Sequence, residues 1–434
     1  DVGDEPFGVI DRINQKAESW GGTLQAVEKA RVMGLKNQFL AGVSYDRGSV
    51  EFSTSSEVGT IGNKFVVAGS GVILGDPAEC SDDDFEEKDF CPRNVDVTTE
   101  YVGVYFSDTV ELTNQLALTF GARYNYAMVD LVDTNGNFPD ITSNHKFHAF
   151  NPNVGATYEL VPGFTIYGSY AESNRAPTPG ELACADPDNP CPVESFLTDD
   201  PPLEQVETET YEAGIKGEMR APNGGYLEYG VGYFRALNQN DILFTASPTT
   251  GRGFFLNAGD TLRQGVEVSV RYKGGPLEVY GNYSYVRATF ETANEFSSPA
   301  NPFAVPCSAD PDEGCVNVRP GDRIPGIPEH RFKAGIFYDV TEKWNVGATL
   351  VAASDQFFLG DEGNDAPTLS GYTRVDLHTS YKVSKNIEFY GYVNNVFDRE
   401  YGLFGTFFEA DEASEVVEDG GVAPITAFTD SRTI

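Results

Sequence analysis

Six cysteines fall as three close pairs: Cys80 with Cys91, Cys184 with Cys191, and Cys307 with Cys315. Each pair lies in a polar, irregular stretch. Two chemistries suit such pairs, a disulfide or a zinc-type metal site. A metal site wants histidine or more cysteine at ligand spacing, and no histidine lies in these segments. Local pairs in long polar loops therefore read as disulfides formed in an oxidising compartment, although pairing across loops satisfies the same count. Other reactive patterns are sparse. Asp310, Asp312 and Gly314 echo a D-x-D-x-G calcium loop, but the remaining ligands are absent. Gly69, Gly71 and Gly75 in "VVAGSGVILGD" have a loose dinucleotide-like spacing, but no helix opens after them, and they read as loop glycines. His145 and His148 stand three apart at a strand start, which puts them on opposite faces and argues against a shared metal. There is no H-E-x-x-H, no Walker loop and no G-x-S-x-G. The sequence reads as that of a non-enzyme with no cofactor.

The charge is strongly acidic, −36 over 434 residues, which argues against a nucleic-acid partner, since such binding needs a basic footprint. The acids gather in "GDPAECSDDDFEEKDFC", "CADPDNPCPVESFLTDDPPLEQVE", "CSADPDEGC" and "FEADEASEVVEDGG". Such runs read as solvated, self-repelling surface, with divalent-cation binding as the sharper alternative. No stretch reaches the roughly 18 consecutive apolar residues of a transmembrane helix.

What positions these loops is a series of strands. In "HRFKAGIFYDVTEKWNVGATLVAAS", Phe332, Ala334, Ile336, Tyr338 and Val340 alternate with Arg331, Lys333, Gly335, Phe337 and Asp339. After "TEK" the alternation resumes through Trp344, Val346, Ala348, Leu350 and Ala352. Period two is the signature of a strand with one apolar face. The same pattern predicts fourteen strands, at 23–31, 37–54, 98–110, 115–132, 145–160, 163–174, 207–219, 224–244, 254–273, 276–290, 329–340, 343–357, 370–383 and 386–398. Many reach the roughly 9–11 residues that a tilted membrane-spanning strand needs.

The connections carry a further signal. Every second one is a tight turn: "VMGLK", "ELTN", "VPG", "RAPN", "KGGP", "TEK" and "SKN". The others are long: 55–97, 133–144, 175–206, 245–253, 291–328 and 358–369. In an up-and-down sheet, alternate connections share one end. One end is thus trimmed short and the other carries every long loop and every cysteine. Outer-membrane β-barrels have this asymmetry, with short periplasmic turns and long extracellular loops. The apolar faces are therefore expected to meet lipid and the others a polar lumen. Phe332, Ile336, Val346, Leu350, Val375, Leu377 and Tyr381 should share the lipid side. Arg331, Lys333, Arg374, Asp376 and His378 should share the lumen side. Trp20, Trp344 and the many Tyr residues near strand ends suit interfacial girdles.

Several segments also resemble TonB-dependent outer-membrane receptors. "GYVNNVFDREYGLFGTFF" (391–408) is similar to that family's V-x-N-L-F-D-x-x-Y signature near its C-terminus. "YGSYAESNRAPTPGEL" (167–182) resembles its N-x-R-A-P-T strand end. "DPPLEQVETETYEAGIKG" (200–217) resembles its N-P-x-L-x-P-E-x-x-x-x-Y-E-x-G segment, with Gln205 and Glu207 departing from the usual residues. "RPGDRIPGIPEHRFKAGIFY" (319–338) matches a loop-to-strand junction. The resemblance covers nearly the whole chain. It implies a 22-stranded barrel with a plugged lumen, placed in a Gram-negative outer membrane and energised through the plug by a TonB-type complex. It also implies uptake of a scarce nutrient: siderophore-bound iron, cobalamin or an oligosaccharide. Residues 1–434 are then expected to be part of the barrel domain, strands eight to twenty-one, without the plug, the TonB box or the terminal aromatic strand. Two rival readings are a passive porin-like channel or adhesin barrel and a soluble β-rich secreted enzyme or lectin. Arg175, Arg252, Arg319, Arg323 and Tyr372 stand as lumen or loop candidates for contact with an anionic ligand, against the plainer role of tying loops down.

Overall fold

The computed structural model describes residues 7–61, 67–75, 80, 91–185, 191–192, 203–221, 224–246, 252–309, 311, 313–409 and 422–428. Fourteen antiparallel strands follow one another side by side in chain order. They are β1 (Phe7–Val32), β2 (Leu35–Ile61), β3 (Arg93–Glu111), β4 (Leu116–Asp133), β5 (Ser143–Val161), β6 (Phe164–Arg175) and β7 (Val206–Arg220). Then come β8 (Tyr226–Gln239), β9 (Thr261–Gly274), β10 (Leu277–Phe290), β11 (His330–Thr341), β12 (Trp344–Ala353), β13 (Tyr372–Ser384) and β14 (Ile387–Val393). Among the described residues β1 pairs only with β2 and β14 only with β13, so this stretch of wall has two open edges.

The tight turns have the backbone that hairpins require. Met33 and Gly34 both take positive φ, 51° and 84°, the left-handed pair that matches the twist of two flanking strands. Gly163 does the same between β5 and β6. The other end carries the long connections, each after an even-numbered strand.

Register settles which residues share a face, because directly paired residues in an antiparallel ladder point the same way. Phe332 pairs with Ala352, Ile336 with Ala348, and Ala334 with Leu350. Leu350 pairs in turn with Val375, Ala348 with Leu377, and Trp344 with Tyr381. The predicted apolar set therefore lies on one side, with Leu377 42% and Tyr381 48% exposed. Lys333 pairs with Val351, which pairs with Arg374, while Thr349 lies opposite Asp376 and Gly347 opposite His378. The polar set shares the other side. Exposed apolar rows continue across the sheet, as in Val43–Val104–Tyr124–Phe150. So wide an apolar face exposed to the surroundings marks a membrane surface.

The alternation inverts near the long-loop end. Along β10 the apolar side reads Leu277, Val279, Gly281, Tyr283 and Tyr285, then becomes Arg287. The polar side reads Glu278, Tyr280, Asn282 and Ser284, then becomes Val286, Ala288 and Phe290. The new apolar residues on the inner side are covered by loops. Ala288 and Phe290 are buried with Phe296, Val316, Val318 and Ile324. On β3 and β4, inner-side Val95, Val97, Val129 and Leu131 are buried with Ile141, Leu182 and the Cys80–Cys91 pair. The long loops thus fold inward over the inner face.

The main differences from the sequence pattern are these. β1 starts at Phe7, far before residue 23, and reaches 26 residues. The predicted strands 224–244 and 254–273 each break. Asn240 (φ 52°) and Gly259 (φ 83°) turn the chain, and Ile242–Ala246 and Arg252–Asn257 pair with each other, away from the wall. Val67–Ile73, read as a glycine loop, pairs with β2. The strand expected to run to residue 398 stops at Val393, because Asn395 and Asp398 both take φ of 50°. Beyond it, Gly402–Glu409 pairs with Val422–Phe428 in a separate two-stranded sheet.

Candidate functional site

The inner face of β7–β13 holds a cavity of about 790 Å3. Register places Lys216 opposite Gly230, Gly230 opposite Ser269, Ser269 opposite Asn282, and Asn282 opposite Lys333. One row further along, Glu267 pairs with Ser284, and Ser284 with Arg331. The cavity therefore meets three cations, Lys216, Arg331 and Lys333, and one carboxylate, Glu267. The Lys216 ammonium lies 5.5 Å from the Tyr167 ring centre. Gly230 and Gly232 make room for neighbouring side chains, the Ser269 hydroxyl beside Gly230 and the Tyr167 hydroxyl over Gly232. Gln356, Tyr372 and Leu403 close the loop end. Such a surface suits a polar anion. It offers two ammonium groups and a guanidinium with no nucleophile and base in contact.

The five candidate contact residues are dispersed. Tyr372 borders the cavity and stacks on Tyr401, with ring centres 4.4 Å apart. Arg175 is clamped by both oxygens of Glu181, at 3.0 and 2.7 Å. Glu181 also closes the capping box of the short helix Pro179–Leu182, so Arg175 anchors its own loop. Arg323 lies 3.8 Å from Glu329 and packs over the Phe357 ring. Arg319 is exposed on a turn whose backbone N–H donates to Asp322. Arg252 contributes backbone to the strand pairing with Pro192, and its side chain lies outside the described residues. Arg331 and Lys333 lie on the lumen side as expected from the alternation, and Lys216 is a third cation on that side, absent from the expected set. The available signal was period two along "YEAGIKGEM".

Disulfides staple the loops. Cys80 bonds to Cys91 and Cys307 to Cys315. Cys184 is also disulfide-bonded, and the side chain of Cys191 lies outside the described residues. All three positions lie in connections at the long-loop end. Asp310 and Asp312 fall outside the described residues. His145 stacks on Phe147, and the backbone carbonyl of His148 accepts from Gln205.

Two buried carboxylates organise the loops. Asp241, at the kink after β8, accepts from Thr261 at 2.6 Å and from Arg263 at 3.0 Å. Asp361, fully buried, accepts from the N–H groups of Asp365 and Ala366. Around it the loops 291–329 and 354–371 are joined. Ser298 and Asn301 donate to the Gly360 carbonyl, and Asn364 exchanges two hydrogen bonds with the Arg323 backbone. Burial pushes the Asp361 carboxyl up to about 6 and that of Glu362 to about 7.

The "NNVFD" segment has a structural role. The Asn395 N–H donates to Asp376, and its amide bonds both backbone groups of Arg399. This turn needs the left-handed conformation that asparagine tolerates best among residues with a side chain.

The family model described as TonB dependent receptor-like, beta-barrel matches residues 4–396. The metal-pseudopaline receptor of Pseudomonas aeruginosa is 24% identical over 306 residues, covering 68% of this chain and 36% of that receptor. The ferripyoverdine receptor of the same species is 25% identical over 317 residues, covering 71% and 33%. The siderophore receptor PiuA from Acinetobacter baumannii superposes with a TM-score of 0.64 at 18% identity, covering 97% of this chain and 55% of that one. The chain thus spans about a third of the curated relatives it matches.

Proposed function

The chain belongs to the TonB-dependent receptor β-barrel family of Gram-negative outer-membrane transporters, and from that premise we propose that it supplies wall and extracellular loops for the import of an anionic, siderophore-type metal chelate. The observation that carries the ligand class is the inner cavity, where Lys216, Arg331 and Lys333 outnumber Glu267 in a chain of net charge −36. An acidic protein that concentrates cations on one inner surface attracts anions there. Relatives named for metal-pseudopaline and ferripyoverdine support a chelate over cobalamin or an oligosaccharide.

In this reading the loops and inner wall capture the chelate from outside. Binding acts on a plug domain, and a TonB-type complex supplies the work that opens a path. The wall residues bind and orient; they make and break no bonds. Residues 1–434 then form a portion of the barrel domain. Uptake of radiolabelled ferric chelates by cells expressing the full-length receptor tests the proposal. Uptake should stop when the energising complex is deleted. Apparent affinity should fall about tenfold for each of Lys216, Arg331 and Lys333 replaced by Gln, given roughly 1.5 kcal/mol for each hydrogen bond to a charged group. Uptake that persists without the complex would indicate a passive channel instead.

A further inference from the structure

The row at which the face pattern inverts contains two arginines with no ion pair or hydrogen bond among the described residues. Arg235 on β8 pairs with Gln264 on β9, and Gln264 pairs with Arg287 on β10. The register is unbroken through these positions, so all three side chains point to the lipid side, with Val231, Val268 and Tyr283. Below them lie Tyr233, Val266 and Tyr285, and Arg235 is itself paired with Tyr211 on β7. Tyr233 and Tyr211 are 45% and 46% exposed, as in an aromatic belt at the membrane surface. Tyr233 donates to the Gln264 carbonyl oxygen, which leaves the Gln264 amide N–H groups for another acceptor. Glu209 stands one row further out on β7, yet forms no salt bridge with Arg235. The backbones of Arg235 and Arg287 are separated by two strand spacings, roughly 10 Å. Arginine side chains reach across that gap to one headgroup.

We propose that Arg235, Gln264 and Arg287 form a site on the outer wall for the phosphate of a phosphorylated lipid in the outer leaflet. The placement argues for a lipid and against a free anion. The site faces away from the lumen, directly above the apolar rows that meet acyl chains, so a headgroup held here keeps its own chains against Val231, Val268 and Tyr283. Charge argues the same way. In a chain this acidic, leaving two cations unpaired at the membrane boundary is useful where an external anion neutralises them. Guanidinium forks also match phosphate geometry. The inference rests on the outer-membrane location and is independent of the imported ligand.

The test uses the full-length receptor in detergent and native mass spectrometry. The probe is a bis-phosphorylated, acylated glucosamine disaccharide, run beside its dephosphorylated form and beside inorganic phosphate. The wild type should retain the phosphorylated lipid and release the dephosphorylated one. Each basic residue near an anionic surface is worth about fivefold in affinity, so Arg235→Gln with Arg287→Gln should weaken retention roughly 25-fold. Arg235→Lys with Arg287→Lys should fall between wild type and the double Gln variant, because the charge stays and the fork is lost. Heat-modifiable gel mobility reports folding, and if the double Gln variant does not fold, each single variant should show the fivefold loss. Equal retention by wild type and Gln variants overturns the site. So does equal retention of the dephosphorylated lipid, which would make the contact apolar only. Competition by equimolar inorganic phosphate would make it a free-anion site and overturn the lipid assignment.

Discussion

Raising the pH from 5 to 8 should loosen the joint between the loops 291–329 and 354–371. The groups concerned are Asp361 and Glu362. Burial is the largest cause of both shifts. It moves Asp361 from 3.8 to about 6, against the N–H donors of Asp365 and Ala366, and with the nearby Asp365 charge raising it further. It moves Glu362 from 4.5 to about 7, against the Gly360 N–H, with Asp361 as the charged neighbour. Both values are raised on folding, so the docked joint favours the protonated forms. That contribution is whole below the free carboxyl values of 3.8 and 4.5, declines as pH climbs through 6 and 7, and is absent above them. For Glu362 alone the penalty for ionising in place is about 3 kcal/mol, or roughly a hundredfold in the opening equilibrium. Hydrogen exchange over residues 298–301 and 357–366, corrected for intrinsic rates, measures that equilibrium. Protection should fall between pH 5 and 8. Glu362→Gln should remove most of the slope while preserving the acceptor for the Gly360 N–H. A joint equally protected at pH 5 and 8, or a Gln variant with the wild-type slope, refutes the reasoning.

Two further outcomes concern the wall and the kink. Leu377→Arg places a charge on the lipid side opposite Ala348 and should cost about 2–4 kcal/mol near the bilayer midplane, whereas Thr349→Arg, on the inner side, should cost far less; unfolding midpoints of the full receptor in lipid vesicles separate them. Asp241→Ala strips an acceptor from Thr261 and Arg263 and should cost about 1–3 kcal/mol, seen as faster proteolysis within residues 242–257 while the wall stays resistant.

The wall was legible because lipid imposes a strict rule on it. Between the short turns and the inversion row every outer side chain must tolerate hydrocarbon, so alternation survives in composition, and the count of fourteen strands emerged from it. Where that constraint ends, the reading weakened. Residues 7–22 of β1 are strand without alternation, as in "DRINQKAESWGG", and escape the period-two pattern because polar residues stand on both faces there. The β8 and β9 predictions overran because "DILF" and "GFFL" keep β composition beyond Asn240 and Gly259, and only a positive φ reveals the change of direction. The signature around Asn395 reads as strand in sequence, since its turn depends on Asp376 from a neighbouring strand. Of the site, Arg331 and Lys333 follow from parity, while Lys216 is not among the residues assigned to the lumen side in sequence. The Asp361 joint does not follow from it, because its partners, Ser298, Asn301 and Arg323, come from a loop more than thirty residues away.

The inversion along single strands ties these observations together. A strand that is apolar outside and polar inside can stand only where lipid lies outside and water inside. On β10 that holds through Tyr285; from Val286 onward the apolar residues face inward, and Phe290 is wholly buried. The same change occurs on β4, where Tyr124 is exposed on the outside while Val129 and Leu131 are buried within. Beyond the bilayer, water lies outside, so burial must be found on the inner side, and the loops provide it. Folding the loops inward is therefore the way these strands hide their apolar residues once lipid is left behind. It also sets the loops over the cavity lined by Lys216, Arg331 and Lys333, where a captured ligand would lie between wall and lid.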